Sequence, residues 1–577
     1  ELFIAVGGVT VPYLFIIGDK ILLPVSSTGS TVFLLLSAVI IAVVMIPWCF
    51  FMGATYPLMM AFLEIRYNKE KDTFSFLYLA NVFGAMAGTF CTALFLVEIF
   101  GFQKTLIISA CINVIVSIVA IILGICHGNS IINDSTVLDN SLSDRNNKTF
   151  LGESFVKPYT AKIILFITGF CSMGMEVIWT RSFTPVLGTL IYSFAALLFI
   201  YLFATWAGSC LYRFHLRTDF NVGLSVIILL LAISSFFPIV FTDPRLHLRR
   251  SIFLLTIVPF CAILGYLTPR VIDFCSQGNH EIAGKAYAIN IAGCVLGPLV
   301  ASYCLLPFFG SRVSSVFLVL PLIWLVFKVL KGTPFLLRAI SLPVIFVLMI
   351  FSLLINRNFE EQHKGEFGVI RHDYSATVLS VGDGMNKKLF VNGVGMTSLT
   401  PITKDMAHMP LVFLGRKPQS ALVICFGMGT TFRSIASWGI EATAVELTPS
   451  VIKAFKYYHD DAEDIMRLHN AKIVIDDGRR FLRRNNKLFD VITIDPPPPI
   501  NAAGSSLLYS IEFYSLAKKR MPPDGILHQW VPGGSNVVLA AITSSLTTVF
   551  SYVRMFKSIE GWGYHYIASM RPINVPS

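Results

Sequence analysis

A chain of 577 residues with a mean hydropathy of +0.69 and only 14% charged residues is too apolar to be wholly soluble, because soluble domains carry about 25% charged residues. The net charge of +11 is shared between the apolar residues 1–356 and residues 357–577, which read as ordinary globular sequence. A concentrated basic surface is therefore excluded, and no nucleic-acid partner is predicted.

The eleven cysteines do not form a metal-binding or disulfide pattern. Ten of them precede residue 330 and are scattered through apolar stretches, and the chain contains no Cys-x-x-Cys. Cysteines in this setting are typical of small, buried apolar side chains. The sequence therefore predicts no metal site.

Long apolar stretches predict transmembrane helices, since about 20 apolar residues span a bilayer. We expect eleven spans, at about 1–18, 31–53, 75–98, 102–126, 161–179, 189–212, 222–242, 252–274, 284–306, 312–330 and 335–356. Residues 127–160, rich in Asn, Ser and Asp, are predicted to be a polar linker. The chain is therefore expected to be a multi-pass integral membrane protein with the lipid bilayer as a partner.

The two halves of the apolar region share a spaced motif. Tyr78-x-x-Asn81-x-x-Gly84-x-x-x-Gly88 recurs 209 residues later as Tyr287-x-x-Asn290-x-x-Gly293-x-x-x-Gly297. Shared spacing over this length indicates an internal duplication. The predicted repeats are residues 1–126 and residues 161–356, the second including a connecting span. Because spans 161–179 and 189–212 have no partner in the first repeat, two further spans are expected before Glu1.

Four polar residues of the apolar region are candidate functional residues. Asn81 and Asn290 lie one turn from the repeated glycines, where they either join packed helices or contact a substrate. Glu176 and Arg181 lie near the end of a predicted span. Because an acid inside a membrane is costly, Glu176 is interpreted either as an ion-pair partner of Arg181 or as part of a cation pathway or lipid contact.

The distribution of Lys and Arg leaves open which side of the membrane the C-terminal domain faces. Loops after the even-numbered predicted spans carry more Lys and Arg than the opposite set, which by the positive-inside rule puts the domain outside the cytoplasm. One miscounted span reverses this assignment. A nucleoside cosubstrate is expected in the cytosol, so the two arguments favour opposite sides.

Residues 357–400 are predicted to form a β-hairpin layer and residues 401–577 an α/β domain. Polar and apolar residues alternate in 375–381 and 388–391, with Gly-rich turn signals after each stretch. Further strands, alternating with helices, are predicted at 421–426, 442–445, 472–475 and 490–494. This order is typical of a doubly wound, Rossmann-like sheet of the methyltransferase type, which binds ligands at the carboxyl ends of its strands.

Acids stand at these carboxyl ends, next to a glycine turn. Gly427 and Gly429 follow the first of the four strands and let the backbone approach a ligand closely. Glu446 ends the next strand, about 20 residues on, and suits the two hydroxyls of a ribose. Asp477 then suits an adenine amino group, and Asp495 lies beside the reacting part of whatever is bound.

A cluster of basic residues follows the third of these strands. Arg479, Arg480, Arg483, Arg484 and Lys487 have helical spacing. We interpret the cluster as a solvated helix face, with contact to anionic lipid headgroups as the alternative.

Residues 366–571 resemble the spermidine synthases, the polyamine aminopropyltransferases. The matching elements are the hairpin layer, Ala407-His-Met-Pro-Leu411, the glycine turn to Arg433, Val445-Glu446-Leu, Asp477-Gly-Arg-Arg-Phe-Leu482, Asp490-Val-Ile-Thr-Ile-Asp495, Leu508-Tyr-Ser-Ile-Glu-Phe-Tyr514 and Pro523-Asp-Gly-Ile-Leu527. Residues 166–208 also resemble the multi-pass region of bacterial membrane-bound spermidine synthase-like proteins, through the pattern Gly-x-x-x-x-x-x-Glu-x-x-x-x-Arg. This second resemblance implies a bacterial inner-membrane protein.

The resemblance implies that the cleft binds decarboxylated S-adenosylmethionine and uses no metal. Gly478 and the glycine turn would approach this cosubstrate closely, Glu446 would hold its ribose and Asp477 its adenine. Asp495 would take a proton from the attacking amine, because a protonated amine is not a nucleophile.

The amine side departs from the family pattern. The family has an acid where this chain has Met428, a second acid at the position of Pro498, and a Tyr-Gln pair at Ile402-Thr403. A diamine needs carboxylates at both ends, because an unpaired buried ammonium is costly. The sequence therefore supports nucleoside binding better than putrescine binding.

Three functional hypotheses follow. The first is a membrane-bound, aminopropyltransferase-like enzyme that acts on an unidentified small amine. The second keeps the fold but uses S-adenosylmethionine as a methyl donor. The third is a catalytically degenerate nucleoside-site domain on a transporter-like or scaffold subunit of a larger membrane complex, since many transporters are built from duplicated halves. The acids Glu446, Asp477 and Asp495 favour the two enzyme hypotheses, whereas Met428 and Pro498 favour the catalytically degenerate domain.

Overall fold

The described residues up to Ile355 are mainly helical, and the described residues that follow combine helices with two β-sheets. The computed structural model describes residues 1–25, 31–67, 72–134, 158–189, 191–218, 222–329, 335–497, 499–500, 502 and 504–574. The chain divides into two units, residues 1–18, 40–183 and 192–358 in one and residues 19–39, 184–191 and 359–577 in the other.

Among the described residues before 358, five-residue π-helical segments occur at Thr92–Leu96, Ala301–Leu305 and Phe351–Ile355, and a short 3-10 turn at Pro244–Leu246. The α-helices are Leu2–Leu22, Thr31–Tyr67, Thr73–Cys91, Val97–Asp134, Pro158–Leu187, Ile191–Leu216, Leu224–Ser234, Phe237–Phe241, Arg250–Leu255, Val258–Ser276, His280–Val300, Leu306–Val329 and Phe335–Ile350. Helix Val97–Asp134 extends into the first residues of the predicted linker, which begins at residue 127. The rest of the predicted linker, up to residue 157, lies outside the described residues.

Nine helical segments among the described residues are long and apolar enough to cross a membrane. Each of the eleven predicted spans overlaps one of them. The two numbers differ because Thr73–Ile125 and His280–Val329 are 53 and 50 residues long, and each overlaps two predicted spans.

Both long segments bend at a glycine that no other residue could replace without strain. Gly101 has φ 71° and ψ 173°, and Gly310 has φ 67° and ψ 178°. This region of backbone conformation is essentially restricted to glycine. A π-helical segment precedes each bend, at Thr92–Leu96 and at Ala301–Leu305. The interval of 209 residues that separates the sequence motifs separates these features as well.

The repeated glycines have different surroundings in the two halves. A Cβ on Gly293 would lie 2.2 Å from the carbonyl oxygen of Phe166, and one on Gly297 would lie 2.2 Å from that of Phe170. Helix His280–Val300 therefore packs backbone to backbone against Pro158–Leu187, which only small residues permit. Within the described residues, a Cβ on Gly84 or Gly88 would meet nothing within 4 Å.

The β layer is a four-stranded antiparallel sheet, larger than the predicted hairpin. Its strands are β1 (Val369–His372), β2 (Thr377–Val381), β3 (Lys388–Val391) and β4 (Val394–Ser398), paired in the order β1-β2-β3-β4. The short β1 and the glycine-containing β4 escaped prediction because neither has a long alternating pattern.

A seven-stranded mixed sheet forms the centre of the α/β domain. Its strands are β5 (Ser420–Ile424), β6 (Glu441–Glu446), β7 (Ala471–Ile475), β8 (Val491–Ile494), β9 (Ile526–Val531), β10 (Tyr552–Lys557) and β11 (Tyr564–Ser569). The order is β10-β11-β9-β8-β5-β6-β7, with β5 to β9 parallel and β10 and β11 antiparallel. The predicted doubly wound sheet is confirmed in its parallel part, and the antiparallel edge was not predicted.

Both faces of this sheet are covered. The helices after residue 358 are Phe359–His363, Ile402–Phe413, Thr430–Ala436, Pro449–Lys453, Phe455–Tyr458, Ala462–Arg467, Gly478–Arg484, Ile511–Lys518 and Asn536–Val549. Val423 of β5 packs with Phe432 on one face, whereas its neighbour Ile424 packs with Phe481 on the other. Alternate residues of β5 are thus buried on opposite faces, which accounts for its continuous apolar sequence.

Candidate functional site

A cavity of about 300 Å³ lies at the carboxyl ends of the parallel strands. It is lined by residues that end β5, β6, β7 and β8, because parallel strands present these ends at one edge of a sheet. The sequence-predicted residues that line it are Gly427, Glu446, Asp477, Gly478 and Asp495. The structure therefore brings together the proposed catalytic residue and all but one of the proposed cofactor-binding residues.

Gly429 has a different setting. It is not among the residues that line the cavity, and a Cβ at this position would lie 2.4 Å from the ring of Phe455. Its φ of 81° also favours glycine. Gly429 therefore allows the turn to pack against the core, whereas Gly427, with φ 56°, lies at the cavity.

Cys425 is a cavity residue that sequence analysis missed. It follows β5 with φ 72°, a conformation that costs about 1–3 kcal/mol for a residue other than glycine. Burial raises the pKa of its thiol well above the ordinary value, so this cysteine is held as an unreactive thiol. The feature that marks Cys425 is a positive φ at a residue other than glycine, and a backbone angle cannot be read from the sequence.

The side chain of Glu446 is held by two backbone groups. Oε2 accepts the N–H of Phe426 at 2.9 Å, and Oε1 accepts the N–H of Thr448 at 2.9 Å. Burial raises the pKa of the half-buried carboxyl, and the backbone hydrogen bonds oppose that shift. A carboxylate fixed in this way has lone pairs left to accept ligand hydroxyls.

Asp477 combines a place in the cavity with a structural role. Its Oδ1 accepts the N–H of Arg480 at 2.9 Å, which makes it the N-cap of helix Gly478–Arg484. The next residue, Gly478, has no room for a side chain, since a Cβ would lie 2.6 Å from Ile424 Cγ2. Gly478 therefore lets the start of helix Gly478–Arg484 pack closely against Ile424.

The neighbouring Asp476 binds part of the basic cluster. Arg480 Nη1 lies 2.8 Å from Asp476 Oδ1, and the two side chains are 7% and 0% exposed. Arg484 Nη2 lies 3.0 Å from Asp476 Oδ2. The interpretation of the cluster as a solvated helix face is therefore wrong for Arg480, which is buried in an ion pair, while Arg479 lines the cavity.

Asp495 lies at the end of β8 and lines two cavities. Its backbone N–H donates to Ile424 O at 3.2 Å, which continues the pairing of β8 with β5. Burial raises the pKa of its half-buried carboxyl from 3.8 to about 7. Such a group exchanges a proton near neutral pH. Pro498, three residues on, lies outside the described residues.

The second cavity, which we call the aromatic chamber, also has a volume of about 300 Å³. It lies on the other side of Asp495 and shares Leu389, Met396, Thr397, Asp495 and Pro496 with the first cavity. Its remaining lining residues are Lys388, Phe390, Gly395, Ser398, Thr400, Ile402, Thr403, Met406, Trp530, Pro532 and Trp562. Ile402 and Thr403, which stand where the resemblance implies a Tyr-Gln pair, therefore line the aromatic chamber.

Met428, which replaces an acid of the family, does not line either cavity. It is 3% exposed and belongs to the hydrophobic cluster that contains Phe426 and Phe432. The side chain of Met428 is therefore part of the hydrophobic core of the domain.

A buried hydrogen-bonded chain lies behind the aromatic chamber. Thr493 Oγ1 donates to Met406 O at 3.0 Å and lies 2.8 Å from His528 Nδ1, and His528 Nε2 lies 3.0 Å from His565 Nδ1. Burial lowers the pKa of both histidines, that of His565 to about 4, so both are neutral at pH 7. The ring of His565 lies 4.8 Å from that of Trp530. These residues, which sequence analysis missed, support one wall of the chamber.

The candidates in the helical region differ in their surroundings. Asn290 Nδ2 donates to Leu165 O at 2.8 Å, a contact between packed helices, whereas Asn81 is exposed. Glu176 and Arg181 are both half-buried on helix Pro158–Leu187, and their pairing stays a prediction.

A buried acid of this region, Asp273, was not predicted. It is 5% exposed, and it accepts the Ser75 N–H at 3.3 Å and the Tyr212 hydroxyl at 3.2 Å. It therefore connects three helices, including one from each predicted repeat. The sequence signal was available, since Asp273 is an acid inside the predicted span 252–274.

No group of three or more His, Cys, Asp or Glu side chains within the described ranges is arranged to hold a metal ion.

Comparison with known proteins identifies the α/β domain. The sequence model of the family described as "Spermine/spermidine synthase domain" matches residues 400–556. The C-terminal region is a spermidine synthase-like domain. The resemblance seen in the sequence is thereby confirmed for this part of the chain.

Similar proteins include enzymes from an archaeon and a bacterium. The polyamine aminopropyltransferase of Sulfolobus acidocaldarius is 27% identical over 217 residues, 35% of this chain and 70% of the relative. Polyamine aminopropyltransferase 2 of Aquifex aeolicus is 24% identical over 391 residues, 63% of this chain and 77% of the relative. The second alignment is longer than the spermidine synthase-like domain and so includes part of the helical region.

The chain spans only part of its relatives. The matched share of the relative's own length runs from 49% to 77% among eight of them. A spermidine synthase structure from Thermotoga maritima is 22% identical, with a TM-score of 0.30, over 34% of this chain and 70% of that chain.

Proposed function

We propose that this protein is a membrane-bound transferase that moves an aminopropyl group from decarboxylated S-adenosylmethionine to a small amine. One observation carries the proposal: Glu446, Asp477 and Asp495 line one cavity, and Asp495 also faces the adjoining aromatic chamber. A cosubstrate in the first cavity and an amine in the second would meet at Asp495. The aminopropyltransferases among the similar proteins support this reading.

In this proposal the first cavity holds the nucleoside. Glu446, whose oxygens are oriented by the Phe426 and Thr448 N–H groups, accepts the ribose hydroxyls. Asp477 accepts the adenine amino group, and the tight backbone at Gly478 lets the base approach. These contacts position the cosubstrate, and positioning supplies much of the catalysis in a displacement at carbon.

Asp495 is the proposed base. Its raised pKa of about 7 leaves about half of the carboxyl groups charged at neutral pH. The charged form attracts an ammonium and then removes its proton, which produces the nucleophilic amine. A carboxyl with the ordinary pKa of about 4 would be a weaker base.

We also propose that the apolar helical segments cross a membrane, the bacterial inner membrane being the expected one. Nine such segments support this location by length and composition. Glu176, Asn81 and Asn290 then lie within the bilayer, where polar residues are retained for packing or function.

A second candidate function keeps nucleoside binding without transfer, as a subunit of a larger membrane complex. The burial of Met428 in the core favours it, since that position carries an acid in the family. The aromatic chamber favours it too, because Asp495 is the only acid among the described residues that line it.

Binding to the full-length protein in detergent tests the proposal. Isothermal calorimetry with decarboxylated S-adenosylmethionine, S-adenosylmethionine and methylthioadenosine distinguishes the bound nucleoside, and release of methylthioadenosine when an amine is added distinguishes transfer from nucleoside binding alone. We expect the decarboxylated cosubstrate and methylthioadenosine to bind. Preference for S-adenosylmethionine would favour a methyltransferase, and binding to none of the three would exclude every nucleoside function.

Protease treatment of sealed inner-membrane vesicles of known orientation tests the side of the membrane. Cleavage of residues 359–577 in inside-out vesicles, together with protection in right-side-out vesicles, is expected of an enzyme that uses a cytosolic cosubstrate. The opposite pattern would contradict synthesis from a cytosolic nucleoside.

A further inference from the structure

The walls of the aromatic chamber are apolar rings and chains. Trp530 and Trp562 lie edge to face with their ring centroids 5.6 Å apart, and Phe390 lines the same space. Met396 and Met406 complete the apolar lining. Aromatic faces of this kind stabilise either an aromatic body or a single cationic group.

Trp530 is held firmly in this position. It is 5% exposed and packs with Ile402 and Met406 in a small hydrophobic cluster. A Cβ on Gly563 would lie 2.2 Å from its ring, so the turn before β11 presses directly on the indole. The chamber is therefore shaped in advance of any ligand, which lowers the entropic cost of binding.

The described lining of the chamber includes one acidic residue and one cationic residue. Among its described lining residues, Asp495 is the only carboxylate and Lys388 the only cation. Most of the chain around the lining residues also lacks acids, since residues 384–404, 496–511 and 526–559 contain no Asp or Glu, whereas Asp405 and Glu560 precede the lining residues Met406 and Trp562. A second ammonium in the chamber would have apolar walls and a lysine for neighbours, and an unpaired buried charge is costly.

Two acids, Asp405 and Glu560, lie outside the lining but close to it in the chain. Asp405, on the helix of Ile402 and Met406, has His408 and Glu560 as its charged neighbours, and its Oδ2 is buried without a hydrogen-bond partner in the described part of the chain. Glu560 Oε2 accepts the indole N–H of Trp562 at 3.1 Å. Glu560 therefore bonds to the chamber wall, and Asp405 is the remaining candidate for a second ammonium site.

We propose that the acceptor is an amine with one positive charge on an apolar or aromatic body, and that diamines are disfavoured. This inference rests on the proposed transferase function and narrows its substrate class. Asp495 binds the amine end, while Trp530 and Trp562 enclose the rest of the molecule.

The transfer step balances with these groups alone. Asp495 takes the ammonium proton, and the nitrogen lone pair attacks the propyl carbon bonded to the sulfonium sulfur. The carbon–nitrogen bond forms as the carbon–sulfur bond breaks, and the bonding pair stays on sulfur as neutral methylthioadenosine. The product is a secondary ammonium that carries the aminopropyl group, and no metal or redox partner takes part.

Binding to the full-length protein saturated with methylthioadenosine tests the proposal without needing turnover. Calorimetry compares 2-phenylethylamine and hexylamine with 1,4-diaminobutane. We expect each monoamine to bind at least tenfold more tightly than the diamine. Equal or tighter binding of the diamine would overturn the proposal while leaving the transferase function intact.

Variants locate the binding. Trp562→Leu, at a residue that is 49% exposed, is expected to weaken 2-phenylethylamine binding about tenfold. Trp438→Leu is the matched control, since Trp438 is 39% exposed and lies outside both cavities, and it should leave binding unchanged. Equal effects of the two variants would contradict an aromatic acceptor site.

Charge variants test the exclusion of a diamine. Lys388→Glu adds a second carboxylate to the chamber and is expected to tighten 1,4-diaminobutane binding about tenfold, whereas Lys388→Met should give a smaller gain. Asp405→Asn should leave diamine binding unchanged, and a large loss in this variant would overturn the proposal by showing a second ammonium site. If methylthioadenosine itself does not bind, the transferase function fails, and the same amines titrated into the free protein still test the chamber.

Discussion

The Glu446 carboxylate is hydrogen-bonded to the backbone N–H of Phe426, with Oε2 2.9 Å from the nitrogen. Phe426 begins the glycine turn after β5, and Glu446 ends β6, so one side chain ties two adjacent strand ends together. The group proposed to bind the ribose is therefore also part of the frame of the cleft. Changes at this residue should affect both binding and folding.

Glu446→Gln is expected to weaken methylthioadenosine binding at least tenfold. The amide keeps the size of the side chain but replaces one acceptor oxygen by an NH₂ group that would face a backbone N–H, and a hydrogen bond to a charged group contributes about 1.5–3 kcal/mol. Calorimetry measures the effect. Glu441→Gln, at the exposed start of the same strand, is the control, and equal affinities in the two variants would rule out the ribose contact.

Two substitutions of Asp477 distinguish its role as an N-cap from its proposed contact with the nucleoside. Asp477→Ser removes the charge but keeps an N-cap, whereas Asp477→Ala removes both, and loss of a cap costs about 0.5–2 kcal/mol. We expect both variants to lose nucleoside affinity and only the alanine variant to unfold at lower temperature. Full affinity in the serine variant would show that the carboxylate does not contact the nucleoside.

The raised pKa of Asp495 predicts the pH dependence of transfer. Below about pH 7 the carboxyl is protonated and cannot take a proton, so kcat/KM for methylthioadenosine release should rise through pH 7. Asp495→Asn should lower kcat/KM by about 10²–10⁴-fold and remove this limb of the profile. An unchanged limb in the variant would assign the titration to another group.

The same carboxyl predicts a gain in stability on mutation. Between pH 3.8 and about 7 the folded state binds more protons at Asp495 than the unfolded state, so its contribution to the free energy of unfolding falls as pH rises. Asp495→Asn should therefore raise the melting temperature relative to the parent at pH 8 and have little effect at pH 4. Thermal unfolding at the two pH values measures it, and a lower melting temperature at pH 8 would contradict the predicted burial.

Alanine substitutions at two glycines with positive φ distinguish the cost of backbone strain from the cost of a steric clash. Gly429 has φ 81° and would place a Cβ 2.4 Å from the Phe455 ring, whereas Gly439 has φ 70° and nothing described within 4 Å. Gly429→Ala should be about 1–3 kcal/mol more destabilising than Gly439→Ala, because it adds overpacking to strain. Denaturant titration followed by near-ultraviolet circular dichroism compares them, and equal losses would mean that Phe455 moves aside.

The repeated glycines of the helical region provide a similar pair. Gly293→Ala brings a methyl group within 2.2 Å of the Phe166 carbonyl oxygen, while Gly84→Ala meets nothing described within 4 Å. Gly293→Ala is expected to lower the melting temperature of the detergent-solubilised protein, and Gly84→Ala to leave it nearly unchanged. A comparable loss at Gly84 would reveal a packing partner for the first motif.

Much of the site could be predicted because its residues follow from strand ends. Glu446, Asp477 and Asp495 each end a parallel strand, and the carboxyl ends of parallel strands meet at one edge. Predicting that they share a cavity required only the positions of the strands, which apolar runs and glycine turns mark in the sequence.

Other roles depended on contacts that no local pattern encodes. Gly429 was expected beside the ligand, yet its missing side chain makes room for Phe455, 26 residues away. Arg480 was interpreted as part of a solvated face, yet it is buried against Asp476. The role of Gly429 depends on the position of the Phe455 side chain, and that of Arg480 on the position of Asp476. The periodicity of the sequence does not show where these neighbouring side chains lie.

The sequence by itself determined the apolar helical region, the parallel strands, the acids at their carboxyl ends and the resemblance to spermidine synthases, because each depends on spacing along the chain. Only the tertiary structure decided the character of the aromatic chamber. Phe390, Trp530 and Trp562 come from β3, β9 and the turn before β11, and they share a chamber because the order of strands in the two sheets brings these segments together. Contacts between residues more than a hundred positions apart arise from that order, so the aromatic walls could be recognised only in the folded domain.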